Sequence, residues 1–118
     1  MVLPSLRRRK DINHFFASAT RFRFPDLTLL IAPSRDGVTR CLIVAGRKVG
    51  KAVQRNRARR RVRALLTAAA PGLRGSWWIG VVCTRQLLMT QWADLLSRVE
   101  GALTQAGALA LGRPEPSE

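Results

Sequence analysis

Apolar residues along the chain recur with two periods, and the alternation between them predicts the order of elements. Ile12, Phe15, Phe16 and Ala19 follow i, i+3, i+4, i+7 spacing, a single apolar face on a helix of about three turns. Arg21 to Phe24, RFRF, alternates and predicts a brief edge strand interrupted by Pro25. Leu27 to Ala32 and Thr39 to Ala45 are short runs rich in β-formers; with the turn residues Pro33 to Gly37 between them they predict an antiparallel hairpin. From about Lys51 the period returns to that of a helix: Ala58, Val62, Leu65, Leu66 and Ala69 form one stripe, and Pro71-Gly72 stops it. Trp77 to Thr84 has a purely apolar body and predicts a further strand, in which Gly80 marks a close approach or a bulge. With Thr90 as N-cap, Trp92, Leu95, Leu96, Val99, Leu103 and Ala106 predict a last amphipathic helix. The expected fold is α+β, a small mixed sheet of three to four strands with three helices in the order αβββαβα. Residues 1–106 are expected to form one domain, with 107–118 a flexible tail.

Charge turns this outline into a functional expectation. The chain has 118 residues, with twenty-one Lys and Arg against seven Asp and Glu, a formal net charge of +14 and a pI near 11.9. Nine of those cations lie between Gly46 and Ala70, a stretch without a single acid. At about 100° per residue, Asn56, Arg57, Arg60, Arg61 and Arg63 fall opposite the apolar stripe, with Arg59 at the flank. Arg55 falls on the apolar side near the helix start, where its long stem can reach past the core edge. Like charges at i, i+4, such as Arg57/Arg61 and Arg59/Arg63, oppose an isolated helix by a few tenths of a kcal/mol each, a cost that a polyanion reverses. Arginine also matches phosphates and guanine edges bidentately. One helix is thus built to dock by one side and to meet nucleic acid with the other.

Protein-based hydrolysis is poorly supplied. The acids form no spaced cluster, and one histidine, His14, leaves no nucleophile–base arrangement to read. Cys41 and Cys83 sit in apolar runs and are expected as buried, reduced thiols that could be sheet neighbours. No apolar run approaches the roughly 20 residues needed to span a bilayer, and no signal-peptide core follows the basic N-terminus, which predicts a cytoplasmic protein. Of the adjacent phenylalanines, one is expected to pack while the other edges toward a groove, where a ring can stack on unpaired bases. A stand-alone basic RNA-binding protein of ribosomal type is the alternative; a protein nuclease and a membrane-surface module are further rivals.

The segment Lys51-Ala52-Val53-Gln54-Arg55-Asn56-Arg57-Ala58-Arg59-Arg60-Arg61-Val62-Arg63 resembles the signature of the bacterial ribonuclease P protein component, K/N-A-V-x-R-N-R-x-K/R-R-x-x-R. Gly46-Arg47-Lys48-Val49-Gly50 is similar to the loop before it, and the resemblance covers about residues 6 to 106. It implies a left-handed βαβ crossover, against the usual rule. It also implies a subunit of a ribonucleoprotein endonuclease that removes the 5′ leader of precursor tRNA, with catalysis in the partner RNA and its Mg²⁺. The implied partners are therefore ribonuclease P RNA and precursor tRNA, with no membrane and no protein partner. No catalytic residue is carried over. Arg55, Asn56, Arg57, Arg59, Arg60, Arg61 and Arg63 take the role of contacting the catalytic RNA. Phe15 and Phe16 are carried over to the helical wall of a cleft between the first helix and the sheet that receives the leader, and Arg47, Lys48 and Lys51 to phosphate or leader contact. Where the family often has an aromatic, this chain has Ile12, and the absence of tyrosine shifts that cleft toward shape and charge.

Overall fold

The computed structural model describes residues 3–109. Helix α1 (Arg9–Ser18) leads into strands β1 (Thr20–Arg23), β2 (Leu27–Pro33) and β3 (Arg40–Val44). Helix α2 (Ala52–Ala69) and a 3-10 turn at Ala70–Gly72 follow, then β4 (Trp77–Cys83), a 3-10 turn at Arg85–Leu88 and helix α3 (Trp92–Gln105). The element order is the one the periodicity predicts.

The strands form one sheet in the order β1-β2-β4-β3. β1 and β2 are antiparallel, β2 and β4 are antiparallel, and β3 runs parallel to β4. The expected β2–β3 hairpin is therefore absent, because β4 lies between the two strands. β4 is buried on both faces along most of its length, whereas β3 is largely half-buried. The more apolar strand takes the centre, and β3 reaches its parallel place beside it through the α2 crossover. The loop after β2 spans the start of β4 instead of turning back: Ser34 N–H donates to Ser76 O (3.0 Å) and Ser76 Oγ donates to Gly37 O (2.8 Å).

The sheet divides two apolar layers. On one face Leu27, Leu29, Ile31, Cys41, Ile79, Val81 and Cys83 pack with the stripe of α2 (Ala58, Val62, Leu65, Leu66, Ala69) and with Leu95, Val99, Ala102 and Leu103 of α3. On the other face Leu30 and Trp78 pack with Phe15 of α1 and with Leu6. The chain before α1 lies along the outer edge of β3, where Leu6 N–H donates to Cys41 O (2.8 Å) and Cys41 N–H donates to Pro4 O (2.9 Å). Leu3 and Leu6 are buried by this docking.

Gly80 is a close approach and not a bulge. A Cβ there would lie 2.7 Å from Phe15 Cε2 and 3.2 Å from Cζ, so the ring rests on bare backbone. Phe15 is 1% exposed, while Phe16 and Ile12 on the neighbouring flank of α1 are half-buried.

Three boundary expectations change. Thr90 does not cap α3; the N-cap is Gln91, and Thr90 Oγ1 donates to Asp26 Oδ2 (3.0 Å) and Gln86 O (3.0 Å). Trp92 is 40% exposed and lies outside the α3 stripe, because the helix begins at that residue. The expected tail boundary after residue 106 also moves. Gly107 (φ 87°) ends α3 with its N–H on Thr104 O (3.0 Å) and Ala108 N–H on Leu103 O (2.8 Å), a Schellman arrangement that buries Ala108 completely. Leu109 then bridges Leu73, so residues 107–109 belong to the fold, and the remainder of the expected tail, 110–118, lies outside the described residues.

Candidate nucleic-acid interface

The loop and helix start that carry the basic motif are fixed by two local devices. Val49, in the middle of the cationic Gly46–Gly50 stretch, is 1% exposed and pins that loop to the core, leaving Arg47 and Lys48 exposed. Gly50 has φ 146°, and a Cβ on it would stand 3.1 Å from the Gln54 side chain. Gln54 Oε1 in turn accepts the Lys51 N–H (2.8 Å), so one of the otherwise free donors of the α2 N-terminus is satisfied from within. Lys51 is the N-cap and its side chain is exposed.

Along α2 the cations separate into three rows. Arg57 and Arg60 are exposed on the outermost ridge. Asn56, Arg59 and Arg63 are exposed on the flank beside β3: Arg59 Nη1 donates to Asn56 Oδ1 (3.0 Å), and Arg59 Nη2 reaches Ala45 O (3.4 Å). Arg59 and Arg63 also line a small cavity of about 130 Å³ with Ser5, Cys41, Leu42 and Ile43. The inner row is Arg55 and Arg61, both half-buried. Arg61 departs from its expected place on the open arc: Arg61 Nη1 donates to Leu87 O (2.8 Å), which ties α2 to the turn before α3.

Among the described residues the ion pairs are Arg40–Asp36 (2.8 Å) and Arg98–Asp26 (3.3 Å), and neither involves α2. Every guanidinium on its open rows is consequently unneutralised by carboxylate, a field suited to a polyanion. Asp26 is 1% exposed and holds Arg98 and Thr90 together, and Arg40 holds the Asp36 carboxyl down at about 2. Among the described residues no group of three or more His, Cys, Asp or Glu could hold a metal ion, and no helix is long and apolar enough to cross a membrane.

Cys41 and Cys83 are free and buried, on adjacent strands of the same face. Burial pushes both thiols up, Cys83 to about 11, so neither is a poised nucleophile.

On the other side of the sheet, α1 stands over β2 and β4 with Phe15 sealed beneath it. The Phe15 and Phe16 rings meet edge to face at 6.1 Å, and Phe16, Ile12, Leu42 and Val82 are half-buried around that core. Of the two phenylalanines expected at a cleft, only Phe16 therefore offers surface. Sequence reasoning missed the cations Arg35, in the β2–β3 loop, and Arg40, at the start of β3, which lie by the N-terminal end of α1; the loop reads locally as a turn, and nothing in its residues points to α1.

The chain's sequence and fold match one family throughout. The sequence pattern of the Ribonuclease P family matches residues 3–107. A ribonuclease P protein component from Chloroflexus aggregans is 33% identical over 112 residues, covering 94% of this chain and 83% of that protein. Another, from Chloroflexus aurantiacus, is 34% identical over 102 residues, covering 86% of this chain and 76% of that protein. Among solved structures, the RNase P protein of Thermotoga maritima superposes with a TM-score of 0.72 at 21% identity, over 86% of this chain and 96% of that one. The Staphylococcus aureus RNase P protein does so with a TM-score of 0.74 at 15% identity, over 90% and 97%.

Proposed function

Since the chain belongs to the ribonuclease P protein family, we propose that the open rows of α2 are where it holds the catalytic RNA of that ribonucleoprotein endonuclease. The carrying observation is a helix seated by five buried apolar residues while Arg57, Arg59, Arg60 and Arg63 stand exposed with no carboxylate partner. Asn56 orients Arg59 on the same flank. Arg61, half-buried and tied to Leu87, positions the helix and adds charge beneath the face; Arg55, half-buried at the helix start, adds charge there. Arg47, Lys48 and Lys51 continue the cationic surface into the preceding loop and take phosphates there.

The substrate is precursor tRNA, and its single-stranded 5′ leader lies in the cleft flanked by α1 and the sheet. Phe16 supplies the aromatic wall of that cleft, with Ile12, Leu42 and Val82 as an apolar floor. Phe15 acts only by holding α1 in place. The protein supplies binding and charge; Mg²⁺ is held by the RNA, and no step passes through a protein-bound metal. By displacing counterions from both RNAs at their junction, the arginine rows lower the Mg²⁺ needed to bring substrate to the catalytic RNA. The working compartment is the cytoplasm, where tRNA precursors are processed.

Arg57→Ala and Arg60→Ala test the interface. Each should weaken binding to the catalytic RNA and reduce the salt slope by roughly one unit per lost contact. Unchanged affinity and slope in both would remove this ridge from the interface. Specific binding to one structured RNA at a fixed stoichiometry separates the subunit from a stand-alone basic RNA binder.

A further inference from the structure

The flank of α1 opposite Phe16 carries a second groove. A cavity of about 650 Å³ is lined by Pro4 to Arg8, Lys10 and Asp11 around the start of α1, by Arg35 and Asp36 from the β2–β3 loop, and by Arg40 at the start of β3. It adjoins an apolar cavity of about 310 Å³ whose lining includes His14, Phe15, Ala32 and Pro33. Arg35 and Trp78 line both. At about 100° per residue, Asp11, His14 and Ser18 lie well around α1 from Ile12 and Phe16, so this groove is separate from the leader cleft.

Three features converge there. The N-cap of α1, Arg8, makes no side-chain cap, so the first-turn donors are left without one at the helix end that borders the groove. Arg7, Arg8, Lys10 and Arg35 are exposed around it. Trp78 is 2% exposed, and its indole N–H is buried with no acceptor among the described residues. An unpaired buried donor costs about 1–3 kcal/mol, so a small outward shift of the indole that brings this N–H to an acceptor in the groove is favoured. Of the two carboxylates present, Asp36 is occupied by Arg40 (2.8 Å), and Asp11 offsets one of the remaining cations.

We propose that this groove is a nucleotide-binding site, taking the phosphate of a single-stranded ribonucleotide at the start of α1 and Arg35, and its base in the apolar cavity over Trp78. The source of the nucleotide, the leader or the catalytic RNA, rests on the ribonuclease P reading; the binding itself does not.

The test is a ¹⁵N NMR titration of the free full-length protein with uridine 5′-monophosphate, reading the three indole N–H signals. Trp77 Nε1 already donates to Arg74 O (2.6 Å) and Trp92 lies at the start of α3, so both serve as controls. The expected result is a saturable shift confined to Trp78, weakened at least fivefold by Arg35→Ala and absent with uridine. No saturable shift at Trp78, or equal binding by Arg35→Ala, overturns the site while leaving the α2 face untouched. In the assembled complex, 4-thiouridine placed in the leader or in the catalytic RNA should crosslink to residues 7–11, His14 or 33–36 from one of the two, which names the source; crosslinks confined to Ile12 and Phe16, or none from either, overturn a role for the groove in the complex.

Discussion

Replacing Gly80 by alanine places a methyl carbon 2.7 Å from Cε2 and 3.2 Å from Cζ of Phe15, where ordinary contact begins near 3.4 Å. Phe15 cannot slide away at no cost. It is 1% exposed, and its ring meets Trp78 at 6.5 Å and Phe16 at 6.1 Å, both edge to face. Either the ring leaves its rotamer or α1 lifts from the sheet, and overpacking of this kind costs about 1–3 kcal/mol. Removing a strand glycine returns roughly 0.5–1 kcal/mol of backbone entropy, so Gly80→Ala should destabilise by about 1–2 kcal/mol in urea unfolding. Because α1 forms one wall of the cleft proposed for the leader, the same variant should weaken precursor-tRNA affinity and leave catalytic-RNA binding unchanged. Phe15→Leu shortens the clashing edge, so the double variant should be at least ~1 kcal/mol more stable than the two single effects summed. A neutral or stabilising Gly80→Ala, or strict additivity, would refute the contact as the reason for the glycine.

Further outcomes separate the rows of α2 and probe the core. Arg61→Ala should cost about 1–2 kcal/mol of stability by freeing the Leu87 carbonyl, whereas Arg60→Ala, exposed and unbonded, should stay within about 0.5 kcal/mol; chemical denaturation of both checks it. The Cys83 thiol rises from 9.0 to about 11 on folding because burial disfavours the thiolate, so its contribution is complete below pH 9 and is lost as pH climbs toward 11. Stability should fall by on the order of 2 kcal/mol across that window, and Cys83→Ala should flatten the fall. Gly107→Ala forces a side chain onto a backbone at φ 87° and should cost about 1 kcal/mol by thermal unfolding, which would be absent if residues 107–109 were not part of the fold.

Local periodicity carried most of the secondary structure and the whole of the α2 stripe, because Ala58, Val62, Leu65, Leu66 and Ala69 needed only helical spacing to be placed. Strand order was not legible. Leu27–Ala32 and Thr39–Ala45 look like hairpin partners by proximity, and only competition for the sheet centre, which the more apolar Trp77–Cys83 wins, separates them. The basic arc could be read from the arginine spacing, but the inward turn of Arg61 could not, since the Leu87 carbonyl that receives it lies 26 residues away. Val49 was hidden within a run of cations, and Ala108 behind a glycine that marks a helix end as readily as a loose tail. The division of labour between Phe15 and Phe16 was expected in kind, and the glycine opposite Phe15 decides which ring is sealed.

The central claim, a protein that lends binding and charge to a catalytic RNA, is tested most directly by precursor-tRNA cleavage at low Mg²⁺ with the bacterial catalytic RNA alone, this protein alone, and both together. Cleavage at the mature 5′ end in the mixture only is the predicted result; cleavage by the protein alone, or no stimulation of an active RNA by folded protein, would contradict it.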